Sequence, residues 1–230
     1  MGNADLLGRL GGLAVRSVRS GAPVLILALL QTGCASTGLI LEEVVRPDPT
    51  QPKSYLSATA AEVRTGVSVI RHGQSIPVEV PMDLQVGDEI KVRAPAIATI
   101  SFPEGHEVTL MPNTHVRLGS IFQYFGELFI RARGYFKVET EYWTAGVKGT
   151  EFSVRLSPDQ KASVAVAEGS ISLTSKTANW PETEVSQNEV ATMQRDGPPS
   201  KALKEKIELD AIRQLLHRSR TRLPNIPARR

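Results

Sequence analysis

Apolar and polar residues alternate along residues 145–173, and this stretch shows the pattern of most of the chain. Phe152, Val154 and Leu156 alternate with polar neighbours, and a period of two places apolar side chains on one face of a β-strand. Similar runs follow residues 157–160 and the turn at residues 168–169, so the stretch predicts three short strands. A sheet with one apolar face must pack against a second layer, which we expect the rest of the chain to supply.

The same alternation continues through residues 61–195, interrupted by short polar segments. Residues 103–106 and 111–114 combine proline with glycine or asparagine, which is typical of turns. A helical period of useful length is not found in this region. The sequence therefore predicts an all-β domain over residues 61–195, built as two packed sheets, a barrel or a solenoid-like coil.

The first 33 residues are typical of an export signal. Arg9, Arg16 and Arg19 precede the apolar run 22–30, and small residues follow that run. A basic region, a short apolar run and a small-residue zone are the three parts of a signal peptide. The apolar run is shorter than the roughly 20 residues that a membrane span needs. We therefore expect a signal peptide over residues 1–33.

Cys34 is the only cysteine of the chain and directly follows the predicted signal. Leu30 and Gly33 before it resemble the lipobox of bacterial lipoproteins, which implies an acylated Cys34 as membrane anchor; Gln31 departs from that pattern. Ala35 is not the aspartate that marks inner-membrane retention, so we expect the periplasmic face of the outer membrane. Cleavage after Ala35 would instead give a soluble periplasmic protein.

Two further segments flank the predicted β domain. Residues 34–60 contain three prolines and predict an extended tether, with an edge segment packed on the domain as the alternative. Residues 200–222 carry apolar side chains at helical spacing behind a Ser200 cap, which predicts an amphipathic α-helix. That helix would dock on the domain or bind a partner or membrane surface. The Pro- and Arg-rich tail, residues 223–230, is predicted to be disordered.

Charge and histidine spacing exclude several kinds of site. The formal net charge is only +3, and no basic stripe interleaved with aromatics occurs, so we predict no nucleic-acid partner. The four histidines show no i,i+4 pairing, which predicts no metal site, and we expect His106 and His115 at the surface. Residues 148–150 lack the glycine spacing of a phosphate-binding loop, and we predict no cofactor.

Arg71-His72-Gly73 resembles the signature of histidine phosphatases, in which the histidine is phosphorylated. That chemistry needs a second histidine and further arginines on an α/β scaffold, whereas the residues after Ser75 predict strands. We therefore interpret His72-Gly73 as a hairpin turn and keep the phosphatase as a remote alternative. Because no nucleophile-elbow serine or carboxylate pair stands out either, we predict that the protein is not an enzyme.

Five stretches resemble the motifs of the FecR domain family, in that family's order and spacing. They are residues 84–90, 98–105, 110–118, 134–140 and 145–152. The motif residues that we expect to shape the backbone or core are Gly87, Asp88, Gly105, Asn113, Gly146, Gly149, Thr150 and Phe152. The resemblance covers about residues 63–193 and implies a two-layered, β-solenoid-like or sandwich-like domain outside a bacterial membrane.

The best-known FecR proteins are iron-siderophore signal transducers, which relay receptor occupancy to a sigma factor. They carry a cytoplasmic anti-sigma domain and one spanning helix. Only 21 residues precede the apolar run here, so we expect the exported form of the family, without those two parts.

Aromatic residues concentrate between residues 122 and 143. Their functional interpretation is a candidate partner surface, and the alternative is packing in the core and at sheet edges. The candidate surface comprises Phe122, Tyr124, Phe125, Tyr142 and Trp143.

These observations predict a non-enzymatic binding or scaffolding module of a FecR-domain lipoprotein in the cell envelope. We expect an envelope protein or glycan as its partner and membrane attachment through the lipid anchor. The alternative is a sensor component that binds a receptor or regulator in iron-linked or envelope-stress signalling.

Overall fold

The structure, a computed structural model, describes residues 38–52 and 54–203. Strands make up 58% of it and helix 4%, which confirms the all-β prediction. In chain order the strands are β1 (Leu39–Pro47), β2 (Tyr55–Ser57), β3 (Val67–Arg71), β4 (Gln74–Ile76), β5 (Met82–Leu84), β6 (Glu89–Val92), β7 (Ile97–Ser101), β8 (Glu107–Leu110), β9 (Thr114–Arg117), β10 (Ile121–Arg131), β11 (Tyr135–Glu139), β12 (Trp143–Lys148), β13 (Glu151–Leu156), β14 (Lys161–Glu168), β15 (Ser170–Ser175), β16 (Thr183–Ser186), β17 (Glu189–Gln194) and β18 (Ser200–Leu203).

The strands form a curled sheet with two layers that face each other. Layer A has the order β1-β7-β8-β10-β13-β14-β17-β18, with β2 and β5 on the free side of β1. Layer B has the order β4-β3-β6-β9-β10-β11-β12-β15-β16. The described pairs are antiparallel except β10 with β11. The predicted two-layered architecture is confirmed.

Strand β10 belongs to both layers. Its first half, residues 121–125, pairs with β9 in layer B, and its second half, residues 126–131, pairs with β8 and β13 in layer A. The strand changes layer at Gly126, whose φ is 105°. The side-chain amide of the buried Gln123 donates to the carbonyl of Gly126 at 2.9 Å and so satisfies a backbone group where ladder pairing changes.

The alternating apolar positions of both layers meet in one core. Leu110, Leu128 and Val154 from layer A and Ile90 and Val138 from layer B are completely buried members of the same cluster. A period-two strand must bury one face, and two facing layers satisfy that requirement for every strand. The core therefore lies between the layers and leaves each layer an outer face.

Residues 145–173, in which the alternation was described first, cross between the two layers twice. Strand β12 lies in layer B, β13 and β14 in layer A, and β15 in layer B again. The crossings are close together, since the Thr150 hydroxyl donates to the Ser170 carbonyl at 3.0 Å and a Cβ on Gly169 would lie 3.0 Å from the Gly149 carbonyl oxygen. The turn at residues 168–169 thus connects the layers, and β14 pairs with β13 and β17 instead of with β15.

The predicted tether is wrong for residues 39–47. They form β1, which pairs with β7 on one side and with β2 and β5 on the other, and Leu41 is completely buried. The alternative of a segment packed on the domain describes this part of the chain. Three prolines suggested an extended chain, but Pro47 ends β1 and the other two prolines lie after it, where they do not interrupt the ladder.

The predicted C-terminal helix does not begin at Ser200. Ser200–Leu203 pairs with β17 as the edge strand of layer A, because β17 offers a row of unpaired backbone groups there. The rest of the predicted helix and the tail lie outside the described residues, as do the predicted signal peptide and Cys34.

One short helix was not expected from the sequence. Helix α1 (Ala60–Gly66) begins behind a capping box, in which the Thr59 hydroxyl accepts from the Glu62 amide and the Glu62 carboxylate accepts from the Thr59 amide. The signal was present in the sequence as Thr-x-x-Glu, but seven residues are too few to show a helical period. Among the described residues, no helix is long and apolar enough to cross a membrane.

Candidate binding face on layer B

The outer face of layer B brings together aromatic and polar side chains from residues 115–174 that do not enter the core. We call this surface face B. Its members are His115, Arg117, Phe122, Tyr124, Phe125, Tyr135, Lys137, Glu139, Thr144, Gly146, Lys148, Ser172 and Thr174. They alternate with core residues along β9 to β15, so the period of two that builds the core also brings these side chains together.

An aromatic cluster occupies one half of face B. The ring of His115 stacks on Tyr124 with centroids 4.3 Å apart and contacts Phe125 edge-on at 5.7 Å. Phe122 contacts Tyr124 at 5.0 Å. The bulge in the pairing of β9 with β10 lies between Gln123 and Phe125, and it places Tyr124 and Phe125 on the same face. The cluster is half-buried by its own contacts.

Charged groups surround Phe122. The guanidinium of Arg117 and the ammonium of Lys176 lie 5.1 Å and 5.2 Å from its ring centroid, within the range of cation–π attraction. Lys176 also pairs with Glu139 at 3.1 Å and donates to the Thr140 carbonyl at 2.7 Å. These contacts fix Lys176 beside the aromatic cluster.

Glu139 is the electrostatic centre of this part of face B. Hydrogen bonds from Lys137 and Ser120 and the nearby Lys176 lower the pKa of Glu139 to about 2, and the Lys137 contact is 2.7 Å. The carboxylate therefore stays ionised at every physiological pH. It keeps Lys137 and Lys176 oriented along the sheet.

A shallow groove of about 480 Å³ occupies the other half of face B. Its floor crosses β12 at Gly146, which has no side chain to fill the space, and its rim includes Tyr135, of which 73% is exposed. The polar side chains that line it are Thr144, Lys148, Ser170, Ser172, Thr174, Glu182 and Glu184. The groove adjoins the aromatic cluster, because Phe122, Glu139, Thr144 and Thr174 are successive cross-strand partners.

The structure agrees only in part with the aromatic surface expected from the sequence. Phe122, Tyr124 and Phe125 lie together on face B. Trp143 does not, since it is 1% exposed and belongs to the core, and Tyr142 packs against that core. The alternation along β12 indicates the burial of Trp143, because Trp143 lies on the same face of the strand as the buried Ala145 and Val147. Tyr135 belongs to the same aromatic-rich stretch but was not included in the candidate surface, and its neighbour Phe136 takes the inward position.

Residues 88–172 match the family model described as FecR protein. This part of the chain is similar to the FecR domain family. The resemblance seen in the sequence is therefore confirmed. FecR proteins are envelope-associated. The matched range begins at the turn before β6 and ends within β15, so it includes every named member of face B except Thr174.

Two crystal structures of a candidate anti-sigma factor from Parabacteroides distasonis, at 1.65 Å and 2.50 Å resolution, are similar to this chain. Both share 19% identity with it at a TM-score of 0.47, over 55% of this chain. The matches cover 64% and 63% of the crystallised chains, so this chain spans less than two thirds of their length. Comparison with curated proteins gives no match.

The FecR motif residues lie mainly where the backbone turns. Gly87, Gly105, Asn113 and Gly149 have φ values of 94°, 81°, 60° and 68°, a region that glycine and asparagine adopt at low cost. Thr150 forms the layer crossing described above. Phe152 and Gly146 lie in β13 and β12, the first in the core and the second on the floor of the groove.

Asp88, one of the FecR motif residues, forms an ion pair with Arg71 of the segment that resembles a phosphatase signature. Its carboxylate is 1% exposed and accepts from Arg71 Nε at 2.9 Å, Arg71 Nη2 at 2.7 Å and the Gln85 amide at 2.8 Å. His72 and Gly73 have φ values of 51° and 79° and form the hairpin turn between β3 and β4. The guanidinium that would hold a phosphoryl group in a phosphatase is here bound to a buried carboxylate.

The prediction that His106 lies at the surface is wrong. It is buried beside Phe136, with ring centroids 4.8 Å apart, and its Nδ1 accepts from the Arg133 amide at 2.9 Å. His115 is half-buried and lies 3.0 Å from a Glu89 carboxylate oxygen. Turn glycines near a histidine indicate a loop, but they do not reveal that the loop folds over the end of the core. Within the described residues, no group of three His, Cys, Asp or Glu could hold a metal ion.

Burial predicts a pH dependence for both histidines. It lowers the pKa of His106, opposed by Glu104, and it lowers the pKa of His115 more than the hydrogen bond to Glu89 raises it. The unfolded chain therefore binds more protons than the folded one just below the ordinary histidine pKa of about 6.5. We expect the free energy of unfolding to fall as the pH drops from about 7 to about 5.

Urea unfolding across this pH range measures the effect. His106→Asn keeps an acceptor for the Arg133 amide but cannot be protonated there, so its stability should change less with pH than that of the wild type. A stability that rises on acidification would contradict the assignment, because raised histidine pKa values would produce that sign.

Proposed function

We propose that this chain is a non-enzymatic binding module of the bacterial cell envelope and that face B is its binding surface. The observation that carries the proposal is the groove of about 480 Å³ beside the exposed Tyr135. A concave site of a few hundred cubic ångströms with an aromatic side chain and a few polar groups is the usual form of a ligand site.

The lining of the groove favours a glycan as the partner. The hydroxyl groups of Thr144, Ser172 and Thr174 and the carboxylate of Glu184 can exchange hydrogen bonds with sugar hydroxyls. The ring of Tyr135 offers an apolar surface with a polar tip, on which the apolar face of a sugar ring can pack. A protein partner would favour an apolar centre with few charges, and this groove lacks that composition.

The envelope location is supported by two independent observations. The FecR match joins the chain to an envelope-associated family. The predicted export signal over residues 1–33 would supply the route and the lipobox-like Cys34 the anchor, so we propose a lipid-anchored protein at the periplasmic face of the outer membrane. In that setting face B would meet the glycan layer of the envelope.

Tyr135→Ala is expected to weaken binding to purified peptidoglycan sacculi about tenfold, since removing a packed aromatic ring costs on the order of 1–2 kcal/mol. Co-sedimentation of the purified protein with sacculi measures the apparent affinity. Val86→Ala is the matched control, because Val86 is also a largely exposed apolar side chain but lies outside the groove. Equal sedimentation of wild type and Tyr135→Ala, or none by the wild type, would refute the glycan assignment.

The FecR match also supports a second candidate, a sensor component that binds a receptor or regulator in iron-linked or envelope-stress signalling. In that case face B would bind a protein, and sacculi would not sediment the chain. Tyr135→Ala would then change the transcription of the regulated genes at unchanged protein abundance. Neighbouring genes for a sigma factor and an outer-membrane receptor would favour this second candidate.

A further inference from the structure

A second cavity lies where helix α1 meets strand β1 and the turn between β6 and β7. Its volume is about 220 Å³, and none of its lining residues belongs to face B. A cavity of about 150 Å³ accommodates benzene, so this one has room for a somewhat larger molecule. We call it the α1 cavity.

The lining of the α1 cavity consists largely of small apolar side chains. Val45, Ala58, Pro95 and Ala96 supply this part of the wall. The wall is closely packed, because a Cβ on Gly66, where α1 ends, would lie 2.6 Å from the Cβ of Ala96. A closely packed wall loses little conformational freedom when a ligand binds, which favours affinity for a molecule that fits.

Three charged side chains also line the α1 cavity, and one of them has no carboxylate partner. Arg46 Nε lies 2.8 Å from one carboxylate oxygen of Glu62, so these two charges form a pair. The other oxygen of Glu62 accepts from the Thr59 amide at 2.8 Å and the Thr59 hydroxyl at 2.9 Å, and these bonds hold the pKa of Glu62 below its usual value. Within the described residues, no carboxylate pairs with Arg93, so the lining carries one uncompensated positive charge.

The guanidinium of Arg93 is held on one side and available on the other. Its Nη1 donates to the Ser68 hydroxyl at 2.9 Å and to the Thr65 carbonyl at 3.5 Å. Its Nε and Nη2 donate to no group among the residues that the structure describes, and these two nitrogens form an edge of the guanidinium that can bind both oxygens of a carboxylate. Because Arg93 lines the cavity, it offers a two-point contact for an anion there.

We propose that the α1 cavity binds a small monocarboxylate with a short apolar portion and that Arg93 holds its carboxylate. One uncompensated positive charge balances one carboxylate, whereas a phosphate monoester brings about 1.5 to 2 negative charges at pH 7. The apolar lining covers the rest of the molecule, and burial of its apolar surface adds affinity. A free acid and the C-terminal residue of a peptide both offer this chemistry.

NMR titration of the full chain tests the proposal, with the amide signals of Arg93 and Ala96 as reporters. The probes are N-acetylalanine, which carries a carboxylate, and N-acetylalaninamide, which has the same shape without the charge. Arg93→Gln should weaken binding of the acid at least about tenfold, because it removes two charged hydrogen bonds. Arg64→Gln is the matched control, since it removes an exposed arginine of the same helix that does not line the cavity.

Binding of the acid in preference to the amide, lost in Arg93→Gln and kept in Arg64→Gln, supports the proposal. Ala58→Leu fills the cavity but leaves Arg93 in place, so it repeats the test if Arg93→Gln does not fold. No saturable shift with either probe, equal affinity for both, or unchanged affinity in Arg93→Gln or Ala58→Leu would overturn the proposal.

A longer probe distinguishes the two sources of the carboxylate. An N-acetylated tetra-alanine peptide contains the same terminal residue behind a longer chain. Tighter binding of this peptide than of N-acetylalanine would assign the cavity to a peptide C-terminus, and weaker binding would assign it to a free acid.

Discussion

Gly126→Ala is expected to lower the free energy of unfolding by more than about 3 kcal/mol, a large share of the 5–15 kcal/mol that stabilises a typical domain. A Cβ at position 126 would lie 2.4 Å from both Cα and Oγ1 of Thr114. The φ of 105° is also strained for any residue with a side chain. The Thr114 hydroxyl bonds the amide and carbonyl of Glu127 at 3.0 Å and 3.2 Å, so it cannot move aside without loss.

Two further glycines separate the causes of that loss. Gly73→Ala keeps the φ penalty without a clash, since nothing lies within 4 Å of its added Cβ, and should cost about 1–2 kcal/mol. Gly146→Ala has neither problem and should change stability by less than about 0.5 kcal/mol. Urea unfolding at fixed pH measures all three. If Gly126→Ala costs no more than Gly73→Ala, the passage of β10 between layers is not as tight as the geometry indicates.

Arg71→Ala is expected to destabilise the protein by about 3–5 kcal/mol, because it leaves the buried Asp88 carboxylate without its cation. Asp88 is 1% exposed and cannot recover water in place of the guanidinium. Asp88→Ala should cost less, about 2–3 kcal/mol, because the half-buried Arg71 can rehydrate. The same substitution also removes the acceptor of the Gln85 amide.

A double-mutant cycle tests this asymmetry. Arg71→Ala with Asp88→Ala should cost clearly less than the two single losses together, since neither charge is then left alone. Arg155→Ala is the control, because its pair with Glu127 lies at an exposed side chain and should contribute about 0–1 kcal/mol. Additive losses at Arg71 and Asp88 would mean that the two groups do not act as a pair in solution.

Local pattern was sufficient for the main features of the fold. The alternation at Phe152, Val154 and Leu156 predicted a strand with one buried face, and β13 buries those three side chains. The His72-Gly73 turn was recognised from its residue types, because few residues other than glycine, asparagine and histidine adopt positive φ. The FecR motifs were identified by their resemblance to a known family, and several of them lie at turns whose backbone restricts the residue type.

Pattern failed where the outcome depended on distant parts of the chain. Trp143 and Tyr135 are both aromatic residues in alternating strands, yet the first is in the core and the second is largely exposed. Residues 39–47 resembled a tether, but the free side of β7 accepts them as β1. His106 borders a turn glycine, and only the fold places Phe102 and Phe136 against its ring.

Short strands with one apolar face, and many of the turns, could be predicted from local sequence, because both follow from the geometry of a few neighbouring residues. Contacts between distant residues set which strands pair, how β10 and the turns at Gly149 and Gly169 connect the layers, and which side chains form face B. Hydrogen bonds between strands are made by backbone groups that are identical at every residue. Partner choice therefore depends on how the two layers close around one core, which no local window of sequence contains.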